Sequence, residues 1–252
     1  MANELLYFPG IGTRFFYAAA STGTVTLNEI GSASWTSALE DGHPTLTLAG
    51  ATGFQFTIGN GMTGSHTIEY WMKLSGWNNT GTSHQWGYIG SRNVSYELWR
   101  PKPIASTNNV NMQLDFDYPD PEDTTVALSN QTDFVHVAEV FDTSDSNYQL
   151  KMYVNGTKVK EHYFQMAWAN TVMIGGSISS YGATALADAF TGKISEVLVS
   201  SGAKYTSNFT PARYTVDTSA MTKGGSSARN FDAPEISYLE VGGIPYKIVA
   251  AS

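Results

Sequence analysis

The chain has 252 residues, with 14 Lys+Arg against 22 Asp+Glu, a formal net charge of −8. That acidic balance argues against nucleic-acid binding, because phosphate backbones repel it. Aromatics at 13% and charged residues at only 14% do not describe a disordered chain, and the absence of Cys excludes disulfides, zinc–thiolate sites and thiol nucleophiles.

No apolar run approaches the roughly 18 residues needed to span a bilayer, so no membrane insertion is expected. Residues 1–9, MANELLYFP, lack a positive n-region and a long apolar stretch, so they are not expected to be a signal peptide. Tripeptides starting at Asn78, Asn93, Asn130, Asn155 and Asn208 match the glycosylation pattern. Without a secretion signal they read as ordinary loop asparagines.

In chain order, residues 1–40 hold two short apolar patches, at 5–8 and 14–17, and read as an N-terminal extension with one or two strands. Period-2 alternation begins clearly at 67–74, where Ile68, Tyr70, Met72 and Leu74 share one face and Thr67, Glu69, Trp71 and Lys73 the other. In 134–141 both faces are largely apolar, which predicts a central strand covered on both sides. Residues 148–154 alternate again and meet Asn155-Gly156, a strong hairpin signal, with a return strand through Lys158 and Val159. A strand at 172–174 stops at Gly175-Gly176. In 190–199 the apolar phase shifts between Ile194 and Val197, which predicts a bulge near Ser195-Glu196. Residues 223–227, KGGSS, read as a flexible connector. Apolar runs at 236–241 and 244–249 flank Gly242-Gly243 and predict a small terminal hairpin. A lone hairpin is marginal in water, so it should pack on something. Many short strands without helices between them indicate an all-β sandwich or barrel.

Three segments carry a family resemblance. HTIEYWMK at 66–73 resembles a characteristic strand of LamG-like, concanavalin A-type jelly rolls. FVHVAEVFD at 134–142, followed by LKMYVNG at 150–156, resembles that family's long hairpin. FTGKISEV at 190–197 resembles its closing strand, with Ser195 where Asp is usual, as Phe134 stands where Trp is usual. AKYTSNFTP at 203–211 resembles a tail common in LamG-like domains of bacteriophage structural proteins. The resemblance covers roughly residues 41–213. It implies a two-sheet antiparallel jelly-roll sandwich at 41–213 between an N-terminal extension (1–40) and a C-terminal extension with a hairpin (214–252). The fold itself hosts lectins, hydrolases, adhesion modules and virion parts, so it does not choose a function.

Chemistry is sparse. A glycosidase needs two carboxylates across the scissile bond, and no Glu-x-Asp-x-x-Glu string occurs. The densest acidic stretch, 115–123, reads as a solvated loop; a Ca²⁺ site or a catalytic pair at Asp115 and Asp117 are its alternatives. The five histidines, His43, His66, His84, His136 and His162, show no metal-site spacing, and His136 is expected to be structural. No Gly-x-Ser-x-Gly or phosphate-binding glycine loop is present. No catalytic residue, metal or cofactor is expected, and the chain is not expected to be an enzyme.

Aromatics give the clearer lead. Trp77, His84, Trp86, Tyr88, Tyr96 and Trp99 crowd one stretch with the polar run NNTGTS at 78–83. Aromatic faces beside short polar groups suit a sugar site, a protein interface or core packing, and all three stay open. The expected function is a non-enzymatic virion structural protein, a capsid decoration or tail-fibre component on the particle surface. Its expected partners are capsid or tail subunits and further copies of itself, with host glycans as an additional ligand. The alternatives are a lectin-like receptor-binding module and, behind it, a glycoside hydrolase.

Overall fold

The computed structural model describes residues 4–8, 15–31, 35–40, 43–48, 52–74, 89–93, 96–97, 99–103, 109–114, 122–127, 133–147, 149–162, 168–174, 176–178, 186–189, 192–213, 221–225, 237–241 and 244–248. The first half supplies β1 (Glu4–Phe8), β2 (Phe15–Ala19), β3 (Val25–Gly31), β4 (Trp35–Glu40), β5 (His43–Leu48), β6 (Thr52–Thr63), β7 (His66–Leu74), β8 (Ile89–Asn93), β9 (Tyr96–Glu97), β10 (Trp99–Pro103) and β11 (Asn109–Leu114). The second half supplies β12 (Glu122–Ala127), β13 (Val135–Phe141), β14 (Leu150–Val154), β15 (Thr157–His162), β16 (Trp168–Ile174), β17 (Gly176–Ile178), β18 (Leu186–Ala189), β19 (Gly192–Ser201), β20 (Met221–Gly225), β21 (Ser237–Val241) and β22 (Ile244–Ile248). A single turn of 3₁₀ helix, Ala20–Thr22, interrupts the strands, and no described helix is long and apolar enough to cross a membrane.

Two antiparallel sheets form a sandwich, the architecture that the resemblance implies. The larger sheet runs β15-β14-β13-β7-β19-β1-β2-β20, with β4 and β5 joined through β19; the facing sheet runs β3-β6-β16-β8-β9. Between them, Phe54, Phe56 and Ile58 of β6 and Val172 and Ile174 of β16 meet Leu6, Phe8, Phe16, Leu46, Ile68, Met72, Val137 and Ile194, all buried. Phe8 lies 5.8 Å from Phe54 and 5.4 Å from Phe56, and Phe16 meets Phe56 edge-on at 5.3 Å.

The bulge expected from the phase shift is present. Pairing of β19 with β7 breaks between Ser195 and Leu198, and Glu196 takes φ 53°. The extra residue keeps Ile194, Val197 and Val199 all on the core. It also divides one edge of β19: Gly192–Ile194 pair with β5, and Val197–Ser200 pair with β1.

Two local expectations differ. Among the described residues, four strands rather than one or two lie before residue 41, and Leu6, Phe8, Phe16 and Ala18 of the first two are themselves core residues. Lys223, Gly224 and Gly225 belong to β20, paired from Gly225↔Phe15 to Met221↔Ala19, rather than to a connector. Ladder hydrogen bonds need only the main chain, so glycines can join a strand that already has a partner waiting. The hairpin around Gly242-Gly243 is present, and β13 is buried along its whole length as expected.

Two buried ionisable groups give the sandwich opposing responses to pH. His66 packs 5.2 Å from the Phe141 ring and its Nδ1–H donates to the Gly64 carbonyl at 3.1 Å; burial pulls its pKa down to about 4. Glu139 faces the core, where burial holds its carboxyl well above the usual carboxylate range despite the Tyr70 hydroxyl donating to it at 3.3 Å. A depressed histidine costs stability as pH falls from about 6.5 to about 4, by about 3 kcal/mol in all. A raised carboxyl does the reverse: its contribution is full below about 4.5 and is lost as pH rises toward its folded pKa, by up to about 1.4 kcal/mol per pH unit. Urea titrations from pH 4 to 8 should therefore show a flatter alkaline limb in Glu139→Gln and a flatter acid limb in His66→Phe. Unchanged profiles would show that neither group titrates with folding.

Candidate functional site: the outer face of the large sheet

Alternation along β7 and β13 puts Thr67, Glu69, Trp71, Lys73, His136, Ala138 and Val140 on the face pointing away from the core. Tyr153 of β14 joins them. Much of this face is nevertheless buried: Thr67, Glu69, His136, Ala138, Val140 and Tyr153 show no exposure. The cover is the irregular segment 202–213, which leaves β19 and crosses the sheet as a strap.

The strap is fixed by specific bonds. The Gly202 N–H donates to the Ser65 carbonyl at 2.6 Å, Thr67 Oγ1 donates to the Gly202 carbonyl at 2.9 Å, and the Lys204 N–H donates to Thr67 Oγ1 at 3.0 Å. The Lys204 ammonium pairs with Glu69 Oε1, and the Tyr205 hydroxyl donates to Glu69 Oε2 at 2.7 Å. His136 Nε2 stands 3.5 Å from the same carboxylate. Tyr205 stacks on Phe209 at 3.5 Å, and Phe209 meets Tyr153 at 5.5 Å and His136 at 5.7 Å. The Phe209 N–H donates to the Gly156 carbonyl at 2.9 Å, and Asn208 Oδ1 accepts from the Lys158 N–H at 2.9 Å.

Beyond the strap the face is half-buried. Arg213 lays its guanidinium 4.3 Å from the Trp71 ring and 4.9 Å from the Phe134 ring. It also donates to Ser195 Oγ at 3.2 Å and stands 3.5 Å from Glu196, which the bulge has turned toward this side. The His43 Nδ1–H donates to Glu196 Oε1 at 2.8 Å, because a carboxylate only accepts. Ser195 Oγ donates to the Pro44 carbonyl at 2.6 Å. Next to this cluster, Glu40 bridges Lys193 and Lys73, and these two ammoniums hold its carboxyl below the usual carboxylate range.

The arrangement suits holding and recognition. Glu40, Glu69 and Glu196 are each committed to a cation or hydroxyl, and Ser195 is fully buried. At this half-buried end, aromatic faces and a guanidinium supply side chains of the kinds that binding surfaces favour. A second ionic lock lies at the β13–β14 turn, where Lys151 contacts Asp145 at 2.8 Å and Asp142 at 3.1 Å. Burial alone would raise Asp142; bonds from Ser144 and Lys151 outweigh it and hold the carboxyl low. Among the described residues, no group of three or more histidines and carboxylates could hold a metal ion.

Trp77, His84, Trp86 and Tyr88 lie outside the described residues. Trp99 opens β10 opposite Leu114, and Tyr96 lies in β9 opposite Asn93. Of the acidic stretch, residues 115–121 lie outside the described residues, while Glu122 and Asp123 pair with Leu114 and Gln113. Sequence alternation placed Glu69 and Trp71 on the outer face. Nothing in it singled out Arg213 or the strap's contacts, because the strap has no periodicity to read.

A family model described as the concanavalin A-like lectin/glucanases superfamily matches residues 48–207. No curated protein matches the chain in sequence. Among solved structures, domain 4 of AbnA, an extracellular arabinanase from Geobacillus stearothermophilus seen with arabinotriose, superposes with a TM-score of 0.53 at 15% identity, over 80% of this chain and 94% of that one. The receptor-binding domain of botulinum neurotoxin mosaic serotype C/D gives 0.52 at 11% identity, over 81% of this chain and 48% of that one. A carbohydrate esterase from the Shiga toxin-encoding bacteriophage phi24B gives 0.50 at 13% identity, over 81% of this chain and all of that one. At these identities the likeness is one of fold.

Proposed function

The chain belongs to the concanavalin A-like lectin/glucanases superfamily, and from that premise we propose that it acts by binding rather than turnover, as a virion structural protein on a capsid or tail surface. Its partners are neighbouring capsid or tail subunits and other copies of itself. The observation that carries this reading is the placement of the chain's last strands. β20 finishes one edge of the large sheet, and the β21–β22 hairpin, among the described residues, pairs only with itself. Elements of this kind serve docking better than they serve an isolated sandwich. The strap, whose sequence resembles tails of phage structural proteins, and the fold likeness to a phage protein add to it. The test is cryo-imaging of purified particles with an antibody to this chain. Regular labelling on the capsid or tail is expected, and particles lacking the chain would overturn the reading.

Glycan binding is the second reading, favoured by the half-buried Trp71–Phe134–Arg213 end of the outer face. It expects glycan-array binding that Trp71→Ala or Arg213→Ala abolishes while near-UV circular dichroism shows that the fold is kept. An array with no signal from well-folded protein would end it.

A further inference from the structure

The two ends of the large sheet are finished differently. At one end, β15 carries Lys158, Lys160 and Glu161, and its pairing with β14 slips between Met152 and Tyr153. Charges and bulges are how a sheet edge is made unattractive to another strand. At the other end, β20 pairs with β2 in unbroken register, carries Lys223 as its one charged residue and ends in two glycines. Among the described residues no strand lies on its second side, so half of its main-chain groups face outward without a ladder partner.

The same chain carries a matching element. β21 and β22 are five residues each, the length of β20. By register Leu239, Val241, Ile244, Tyr246 and Ile248 share one face of the hairpin, and Tyr238, Glu240, Pro245 and Lys247 share the other. Pro245 has no N–H, which suits β22 to the outside and leaves β21 to pair. Glu240 on β21 is opposite in sign to Lys223 on β20. Residues 226–236 can span about 40 Å when extended, enough to carry the hairpin beyond its own sheet. The chain's own hairpin does not occupy its own β20 edge.

We propose that the β21–β22 hairpin of one copy adds to the β20 edge of a second copy of this chain. Each chain then carries one donor and one acceptor, a head-to-tail contact. Pairing of β20 with itself across a two-fold axis is disfavoured, because it sets Lys223 against Lys223. The inference rests on the docking role proposed above and names the partner as a second copy.

Native mass spectrometry and size-exclusion chromatography test it. The full chain is expected to form oligomers. A chain lacking residues 226–252 keeps the acceptor only, and Lys223→Glu keeps the donor only, since the new carboxylate meets Glu240. Each alone should be monomeric, and an equimolar mixture should give a one-to-one dimer. A monomeric full chain, oligomers from either variant alone or a mixture that stays monomeric would overturn the proposal. Near-UV circular dichroism checks that both variants fold. If either does not, a full chain with Lys223→Cys and Glu240→Cys decides, because the protein has no other cysteine. Oxidation should link separate copies, and a link within one copy would overturn the proposal. Particle labelling is independent: unlabelled particles with intact oligomers would sink the virion role and leave this contact standing.

Discussion

Lys204→Met should lower the stability of the sandwich by about 2 to 3 kcal/mol. Glu69 is fully buried on the outer face and pairs with the Lys204 ammonium of the strap. Removing one partner of such a pair leaves a charge taken out of water without its counter-charge, and that loss exceeds the net worth of the pair itself. Lys204 is 30% exposed, so the effect falls below that of a wholly interior pair. Glu69→Gln with Lys204→Met should recover part of the loss, because the remaining amide still accepts from Tyr205 and carries no charge. The check is a double-mutant cycle by urea unfolding. A coupling within about 0.3 kcal/mol of zero would mean that the strap is held by its aromatic contacts alone.

Gly156→Ala should cost about 3 kcal/mol and loosen the strap. Asn155 and Gly156 take φ 48° and 75°, the tight hairpin turn that their sequence predicts. An L side chain at Gly156 meets two obstacles. The left-handed conformation disfavours it, and its Cβ would fall 1.9 Å from the Phe209 carbonyl oxygen and 2.9 Å from the Pro211 ring. Gly64→Ala separates the two effects. Gly64 has φ 74° and nothing within 4 Å of a built Cβ, so only the backbone cost of about 1 kcal/mol applies. Equal losses in the two variants would remove the strap from the explanation. A larger loss at Gly156, with faster protease cleavage between residues 203 and 213, is the expected outcome.

These effects show what was legible in the sequence. The strands of the sandwich were readable because apolar residues alternate in 67–74 and 134–141. Even the bulge was readable, because keeping both Ile194 and Val197 on the core requires one extra residue between them. Burial of the opposite face was readable in 134–141, where both faces are apolar, but not on β7 or β14. Glu69 and Lys151 look like surface positions until a segment with no period of its own lies over one and a charged turn closes around the other. Arg213 gave no local signal, since its meaning depends on Trp71 and Phe134, distant in sequence and adjacent in space. The aromatic cluster between residues 77 and 99 was conspicuous by composition, yet composition alone could not divide it between sugar, partner and core.

The divided edge of β19 has a consequence for how the molecule comes into being. Glu4–Phe8 pairs with nearby β2 on one side but with Val197–Ser200, distant in sequence, on the other, so β1 is complete only once β19 is in place. Until then Leu6 and Phe8 lack part of their cover, and closure across so long a stretch of polypeptide is slow. Refolding should accordingly end with a late phase in which the amino-terminal segment gains protection from hydrogen exchange after β7, β13 and β14 already have it.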